Sequence, residues 1–260
     1  MYDGLLLNFN KRLSHNFSYE ISYTYSHSID NVSLIANKAA FAGYGFICDV
    51  VRPTECVGNS DFDQTHIITG NVLYNLPFGR GRPYGGNMPF WANEIVGGWD
   101  ISALPSWHSG IAFSTVSSAF VAGYANNAPA ILVGSWSNVA PHAHKTADGS
   151  VNLFADQDKA LASFQGPVGF QIGTRNNLRG PNYVTFDMGV AKAFPIYGDN
   201  VKLKFRCDAF NAFNHPNFDL PATANTDITG GSNFGQLTQT VVSPSGASAR
   251  VLQGALRLEF

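Results

Sequence analysis

Two groups of side chains in the 260-residue chain have types and spacings that suit metal chemistry. Asp61, Asp63 and His66 form the first group, and His142 and His144 lie with Asp148 in a later polar loop. A zinc site normally holds four ligands, and the second group has no evident fourth. Aspartates in turn-rich segments commonly accept hydrogen bonds from nearby backbone. We therefore interpret the first group as turn-forming residues and predict no metal and no cofactor.

No arrangement typical of an enzyme or a nucleic-acid-binding protein is present in the sequence. Gly79-Arg80-Gly81-Arg82-Pro83 lacks the lysine and the strand–helix context of a phosphate loop, and no serine lies in a Gly-x-Ser-x-Gly elbow. The formal net charge of −2 provides no basic field for nucleic acid. We predict no catalytic residues, no enzymatic activity and no nucleic-acid partner.

The chain contains three cysteines. Cys48 and Cys56 lie in one glycine-rich, turn-rich stretch, whereas Cys207 lies in an apolar-alternating segment. We predict a Cys48–Cys56 disulfide, which requires an oxidising compartment. Two unrelated thiols are the alternative.

The elements that must position these residues are strands, because the clearest pattern has a period of two. From Phe17 to Ser26, large apolar residues alternate without exception with polar ones. The same alternation recurs, with a proline at Pro105 that is expected to interrupt one segment. It predicts seven strands, at residues 4–13, 17–28, 65–77, 96–108, 183–194, 201–213 and 248–260.

Strand length and loop length favour a membrane barrel over a soluble antiparallel sandwich. The segments approach the roughly 9–11 residues of a tilted membrane strand, whereas sandwich strands average about 5–6. Short turns alternate with long joins, as in outer-membrane barrels, although the 78–95 join is long for a periplasmic turn. The long joins lie at about 29–64, 109–182 and 214–247. We predict an all-β fold: an antiparallel transmembrane β-barrel segment of about seven long meander strands with long extracellular loops.

The polar face of these strands carries many charges, which predicts a wide interior that is wet or plugged. Its charged residues are Glu20, Asp187, Lys202, Lys204, Arg206, Asp208, Arg257 and Glu259. Seven is an odd number, whereas bacterial single-chain barrels have even strand counts. We therefore expect an incomplete barrel, the C-terminal part of a larger protein.

Several phrases in order along the chain resemble one known family. They are Asn10-Lys11-Arg12, Tyr23-Thr24-Tyr25-Ser26-His27-Ser28-Ile29-Asp30, Ser60-Asp61-Phe62-Asp63 with His66, Leu76-Pro77-Phe78-Gly79-Arg80-Gly81, Gly97-Gly98-Trp99, Arg175-Asn176-Asn177-Leu178-Arg179-Gly180-Pro181 with Asp187, Asp208-Ala209-Phe210-Asn211-Ala212-Phe213-Asn214-His215-Pro216-Asn217-Phe218, and Phe234-Gly235-Gln236. The chain resembles the C-terminal barrel of TonB-dependent outer-membrane receptors of the Oar-like group, which carry a carboxypeptidase-regulatory-like domain. The resemblance covers residues 1–260 almost completely.

The resemblance implies a location in the outer membrane of a Gram-negative-type bacterium and energised uptake of an unknown solute. Its implied partners are outer-membrane lipid, the TonB complex through N-terminal parts outside this sequence, and the barrel assembly machinery. That machinery would read the C-terminal signal formed by Leu256, Leu258 and Phe260. Substrate-binding residues do not follow from the sequence. A self-contained small barrel or adhesin, with a structural or binding role, is the alternative function.

Overall fold

The computed structural model describes residues 1–33, 52–119, 128–171, 173–197, 201–241 and 248–260. Seven long strands pair in chain order, each antiparallel to the next, in one sheet. They are β1 (Tyr2–Ser14), β2 (Phe17–Asp30), β3 (His66–Asn75), β4 (Trp99–His108), β5 (Tyr183–Tyr197), β6 (Val201–Phe210) and β7 (Val251–Glu259). The predicted all-β meander of seven strands is confirmed, with strand ends that shift by a few residues.

The remaining elements are short and belong to the connections. The helices are α1 (Phe90–Val96), α2 (Trp136–Val139), α3 (Gln157–Ala162) and α4 (Thr223–Thr226), with a 3-10 turn at Pro53–Cys56. The two-residue strands are Gly58–Asn59, Ala112–Phe113, Val116–Ser117, Ala128–Pro129, Ile131–Leu132, His144–Lys145, Val151–Asn152, Phe164–Gln165 and Leu178–Arg179. In the described part of the chain, no helix has the length and apolar character needed to cross a membrane.

The register of the sheet places most large apolar residues of neighbouring strands opposite one another. Tyr23 of β2 lies opposite Leu7 of β1 and Ile68 of β3, whereas Leu6, Ile67 and Leu73 are exceptions that lie on the polar face. In β5, Val190 lies opposite Ile101 and Cys207. The sheet therefore has one apolar face and one polar face. A slip of one residue in any strand would exchange its two faces.

The strand β4 runs through Pro105 without a break, so the sequence-based expectation of an interruption is wrong for the strand itself. Pro105 pairs in register with Phe186 of β5. The ladder with β3 lapses where Gly70 would face it, as expected for a residue without an amide hydrogen. A Cβ at position 70 would lie 2.9 Å from Cγ of Pro105. Glycine at this position provides the space for the proline ring.

The hydrophobic core lies in the connections rather than in the sheet. We use the term loop platform for the described parts of residues 52–65, 109–182 and 211–250. Its core consists of Phe113, Ala130, Val139, Leu153, Phe154, Ala160, Phe164, Leu178, Phe234 and Leu237. The short helix α3 belongs to the platform, and Leu153 and Phe164 are buried beside it.

The sheet is open, since β1 pairs only with β2 and β7 only with β6 among the long strands. Both outer edges therefore present unpaired backbone groups. In hydrocarbon such groups cost several kcal/mol each, and membrane sheets normally close into barrels for this reason.

The two faces predict opposite responses to the same substitution at neighbouring positions of the central strand β5. Val190→Lys places a cation on the apolar face and should lower the free energy of unfolding by about 2–4 kcal/mol near the bilayer midplane. Ala191→Lys places it on the polar face, opposite Asp100 and Arg206, and should change stability by less than about 1 kcal/mol. Urea unfolding of the protein in phospholipid vesicles measures both values. Equal losses would contradict the assignment of faces.

The contact between Gly70 and Pro105 predicts that a single methyl group is costly. Gly70→Ala should destabilise the protein by about 1–3 kcal/mol, because the added carbon overpacks the proline ring. Gly254→Ala is the matched control, since a Cβ at position 254 meets no atom within 4 Å. The same unfolding titration compares the two. A Gly70→Ala variant as stable as Gly254→Ala would show that the ring moves aside freely.

Candidate functional site

The two ends of the sheet differ in the length of their connections. The joins 31–65, 109–182 and 211–250 leave one end, and the turn at His15 and Asn16, the join 76–98 and the join 198–200 leave the other. His15 and Asn16 have φ of 53° and 64°, as a two-residue hairpin turn requires. Outer-membrane barrels place short turns in the periplasm and long loops outside the cell. The loop platform accordingly lies at the extracellular end.

A buried arginine fastens the platform to the sheet. The side chain of Arg175 is 7% exposed and forms an ion pair with Asp30 at the end of β2. It also lies 3.7 Å from Asp61 and donates a 2.7 Å hydrogen bond to the carbonyl oxygen of Asp30. The long connection after β4 is therefore held against the connection after β2. Because an unpaired buried charge is strongly unfavourable, removal of either partner of this ion pair would destabilise the protein.

A second ion pair lies beside the first. Asp63 is 1% exposed in its side chain and pairs with Arg179. It also accepts a 2.6 Å hydrogen bond from the backbone amide of Ser28. Asn176 donates to Asp61 over 2.6 Å. The aspartates that we interpreted as turn-forming residues thus bind partners more than a hundred residues away.

The residues considered as metal ligands make other contacts. The rings of His142 and His144 lie 5.4 Å apart, edge to face. His66 packs its ring against Tyr25 on the apolar face and hydrogen-bonds the Tyr23 hydroxyl at 2.9 Å. Hydrogen bonds from Thr146 and Ser150 lower the pKa of Asp148, so that carboxylate is already engaged. Within the described ranges, no group of three or more His, Cys, Asp or Glu side chains is arranged to hold a metal ion.

Two asparagines clasp the third long connection to β5. Asn211 has φ of 48°, and its backbone amide donates to the Asp187 carboxylate over 2.8 Å. Its side chain bonds the backbone of His215 in both directions. The Asn217 side chain similarly exchanges two 2.8 Å hydrogen bonds with the backbone of Val184. These contacts give a structural role to the Asn-rich phrase at 208–218, which sequence reasoning had left without one.

A cavity of about 230 Å³ lies between the polar face of the sheet and the platform. The rings of His108 and Tyr183, on the polar face of β4 and β5, stack at 4.8 Å along its wall. Its lining is completed by Gln64, Ile111, Pro181, Phe218, Asp219, Leu220 and Val241. The cavity is smaller than the roughly 300–1,000 Å³ of a ligand pocket. Its position places the platform over the polar side of the sheet, which is the lumen side.

The lumen face of β6 and β7 carries a band of charges that extends away from the platform. Lys204 pairs with Glu259 at 2.8 Å, and Arg206 pairs with Asp208 at 2.7 Å. Arg257 lies opposite Lys204 in the ladder. The three cationic side chains are exposed and the two carboxylates partly so, and the lumen wall is therefore suited to water or to a polar plug.

The cysteines and the C-terminal apolar residues lie in separate places. Cys56 is buried at the end of the 3-10 turn, but Cys48 lies outside the described residues, so their pairing stays a prediction. Cys207 is a free thiol on the apolar face. Leu256 and Leu258 are exposed on the same face and Phe260 follows β7, an arrangement that leaves all three accessible.

The Arg175 ion pairs predict a selective loosening of the platform. Arg175→Met leaves Asp30 and Asp61 without their cation and should lower local platform stability by about 3–5 kcal/mol. Lys159→Met is the control, because Lys159 pairs with Asp156 on the exposed surface, where such a pair contributes little to stability. Proteinase K digestion of intact cells reports the cleavage rate of the platform. Equal cleavage of both variants and wild type would contradict the clamp.

Comparison with known proteins agrees with this architecture. A family model described as "Outer membrane beta barrel domain" matches residues 1–253. No curated protein and no solved structure matches the chain. The family match covers nearly the whole chain. The chain therefore belongs to the outer membrane beta barrel domain family, and its place is the outer membrane of a Gram-negative-type bacterium.

Proposed function

We propose that the chain is the C-terminal barrel part of a TonB-dependent outer-membrane receptor that takes up a solute. The observation that carries the proposal is a folded extracellular platform, fixed by buried ion pairs, over the charged lumen face of an open sheet. Such a receptor captures a scarce solute at its outer surface. A plug inside the barrel then rearranges under force from the periplasmic TonB complex. The solute itself is unidentified.

The open edges of the sheet support a larger barrel. The outer edge of β1 and that of β7 need partners, because unpaired backbone in lipid is unfavourable. Further strands of the same polypeptide would satisfy both edges and give a circumference large enough for an interior plug. A small closed barrel would instead have to join β1 directly to β7.

The charges of the lumen face support a wet or plugged interior. Small barrels fill their interior with packed side chains, and seven strands with this face would bury Lys202, Lys204 and Arg206 together. Glu259 and Asp208 pair with Lys204 and Arg206, but taking such ion pairs out of water in a narrow lumen would still cost free energy. A wide interior avoids that cost.

The proposal assigns roles to the partners expected from the sequence. Outer-membrane phospholipid and lipopolysaccharide would contact the apolar face. The barrel assembly machinery would bind the exposed C-terminal strand through Leu256, Leu258 and Phe260. The TonB complex would act through parts of the receptor beyond residues 1–260. The proposed activity requires no cofactor and no catalytic residue.

Electrical conductance of the full-length protein, purified from outer membranes into a planar bilayer, tests the proposal. A plugged receptor barrel should conduct little at rest and should open reversibly when urea on the periplasmic side unfolds the plug. It should also bind the isolated periplasmic domain of TonB. We expect both results, because the proposed lumen is wide and the proposed transport is energised.

Three other results would overturn the proposal. Constant conductance without urea would indicate an open channel. The absence of conductance in both conditions would indicate a filled, small barrel or adhesin. Reversible opening without TonB binding would indicate a plugged barrel that performs another task, such as export or adhesion.

A further inference from the structure

The helix α1, in the periplasmic join between β3 and β4, has its apolar side chains on the outside. Phe90, Trp91 and Ile95 are 62%, 69% and 64% exposed, and Val96 is exposed as well. The polar Asn93, in contrast, is partly covered and accepts a 2.7 Å hydrogen bond from the Arg80 amide. A helix in water normally shows the opposite distribution. Exposed apolar patches of this kind mark a surface that meets another apolar phase.

The helix is attached to the apolar, lipid-facing side of the sheet. Lys192, which shares that face with Trp99 and Phe205, is only 4% exposed because α1 covers it. Its ammonium group donates to the carbonyl oxygens of Asn93 and Glu94, at 3.3 and 2.5 Å. The Trp99 indole donates to the Ile95 carbonyl over 2.8 Å. Two outward-facing side chains of the barrel thus bind the last carbonyls of α1.

The join also holds the helix at a fixed height along the barrel. Gly79 and Gly97 lie so close that a Cβ on either would be 3.0 Å from the Cα of the other. Gly79 has φ of 125°, which favours glycine. The amide of Gly97 donates to Asn93, which closes the C-terminus of α1. The position of α1 therefore follows from the ends of β3 and β4.

Cations lie on the same join, at the edge where headgroups would be. Arg80 and Arg82 are exposed, and Arg82 reaches the turn between β1 and β2, where it donates to Asn16 over 3.1 Å. Glu94 is the nearby acidic side chain, and it is partly covered. An apolar helix surface with adjacent arginines matches the boundary between acyl chains and phosphate groups.

We propose that α1 lies in the periplasmic leaflet of the outer membrane, with Phe90, Trp91, Ile95 and Val96 among phospholipid acyl chains. The surface is continuous with the lipid-facing side of the barrel through Trp99 and Lys192. Arg80 and Arg82 then contact the phosphate groups. This inference rests on membership of the barrel family and is independent of solute transport.

Fluorescence of Trp91 in lipid vesicles tests the proposal. Wild type and Trp91→Phe are folded into phosphatidylcholine vesicles, and into vesicles of the same lipid brominated on its acyl chains. Bromine quenches tryptophan fluorescence only on contact. The difference in fluorescence intensity between wild type and Trp91→Phe, which is the emission of Trp91, should therefore fall by half or more in brominated lipid. Iodide on both sides of the bilayer should leave that difference nearly unchanged. Phenylalanine retains the apolar ring, so the variant is expected to fold normally.

Trp136→Phe is the matched control, because Trp136 is half exposed on the extracellular platform. The fluorescence of Trp136, measured as the difference between wild type and Trp136→Phe, should be quenched by iodide and should be insensitive to brominated lipid. If the Trp91 contribution behaves as that of Trp136 does, α1 lies in water and the proposal is wrong. Exposure of Trp91 to iodide would leave the apolar surface available to a soluble periplasmic partner instead.

Discussion

The backbone ladder that joins the seven strands is the constraint on which the rest of the structure depends. In a bilayer every amide and carbonyl must find a partner, so a strand can enter only as part of a sheet. Antiparallel pairing also copies the alternation of one strand onto the next, from Tyr23 to Ile68 and from Val190 to Cys207. The ladder thereby creates two continuous faces from segments that are far apart in the sequence. Even Pro105 is retained, because Gly70 makes room for it.

One face of the sheet contacts lipid and the other faces the lumen, so the hydrophobic core of the protein must lie elsewhere. The core residues of the loop platform, such as Leu153 and Phe234, are fully covered although no long strand contributes to them. The platform is a small folded body with its own apolar core, and it is joined to a membrane sheet. The Arg175–Asp30 ion pair connects the platform to β2, and Asp63, which pairs with Arg179, accepts a hydrogen bond from the Ser28 amide of the same strand.

The alternation of residues made the fold predictable and left the site largely unpredictable. A period of two depends on near neighbours, so the strand at Phe17 to Ser26 could be located from its own sequence. The partnership of Arg175 with Asp30 spans 145 residues and follows no period. Asp61 and Asp63 were recognised as hydrogen-bonding residues, but their partners were sought in the local turn. Asparagine tolerates positive φ, and Asn211 adopts it. The sequence contains many asparagines, however, and no pattern distinguishes Asn211 from the others.

Whether an exposed or a buried side chain is favourable depends on its surroundings, which change along the membrane normal. An exposed leucine such as Leu256 is satisfied where the surrounding phase is hydrocarbon, and a buried aspartate such as Asp63 is satisfied where a guanidinium lies beside it. Lys192 belongs to neither case, since it occupies an apolar-face position and would be costly in lipid. Its ammonium instead reaches the carbonyls of α1 near the periplasmic boundary. The carbonyl groups of α1 thus provide the hydrogen-bond acceptors that Lys192 needs. The same hydrogen bonds hold α1 at the membrane surface, with its own apolar residues directed outward.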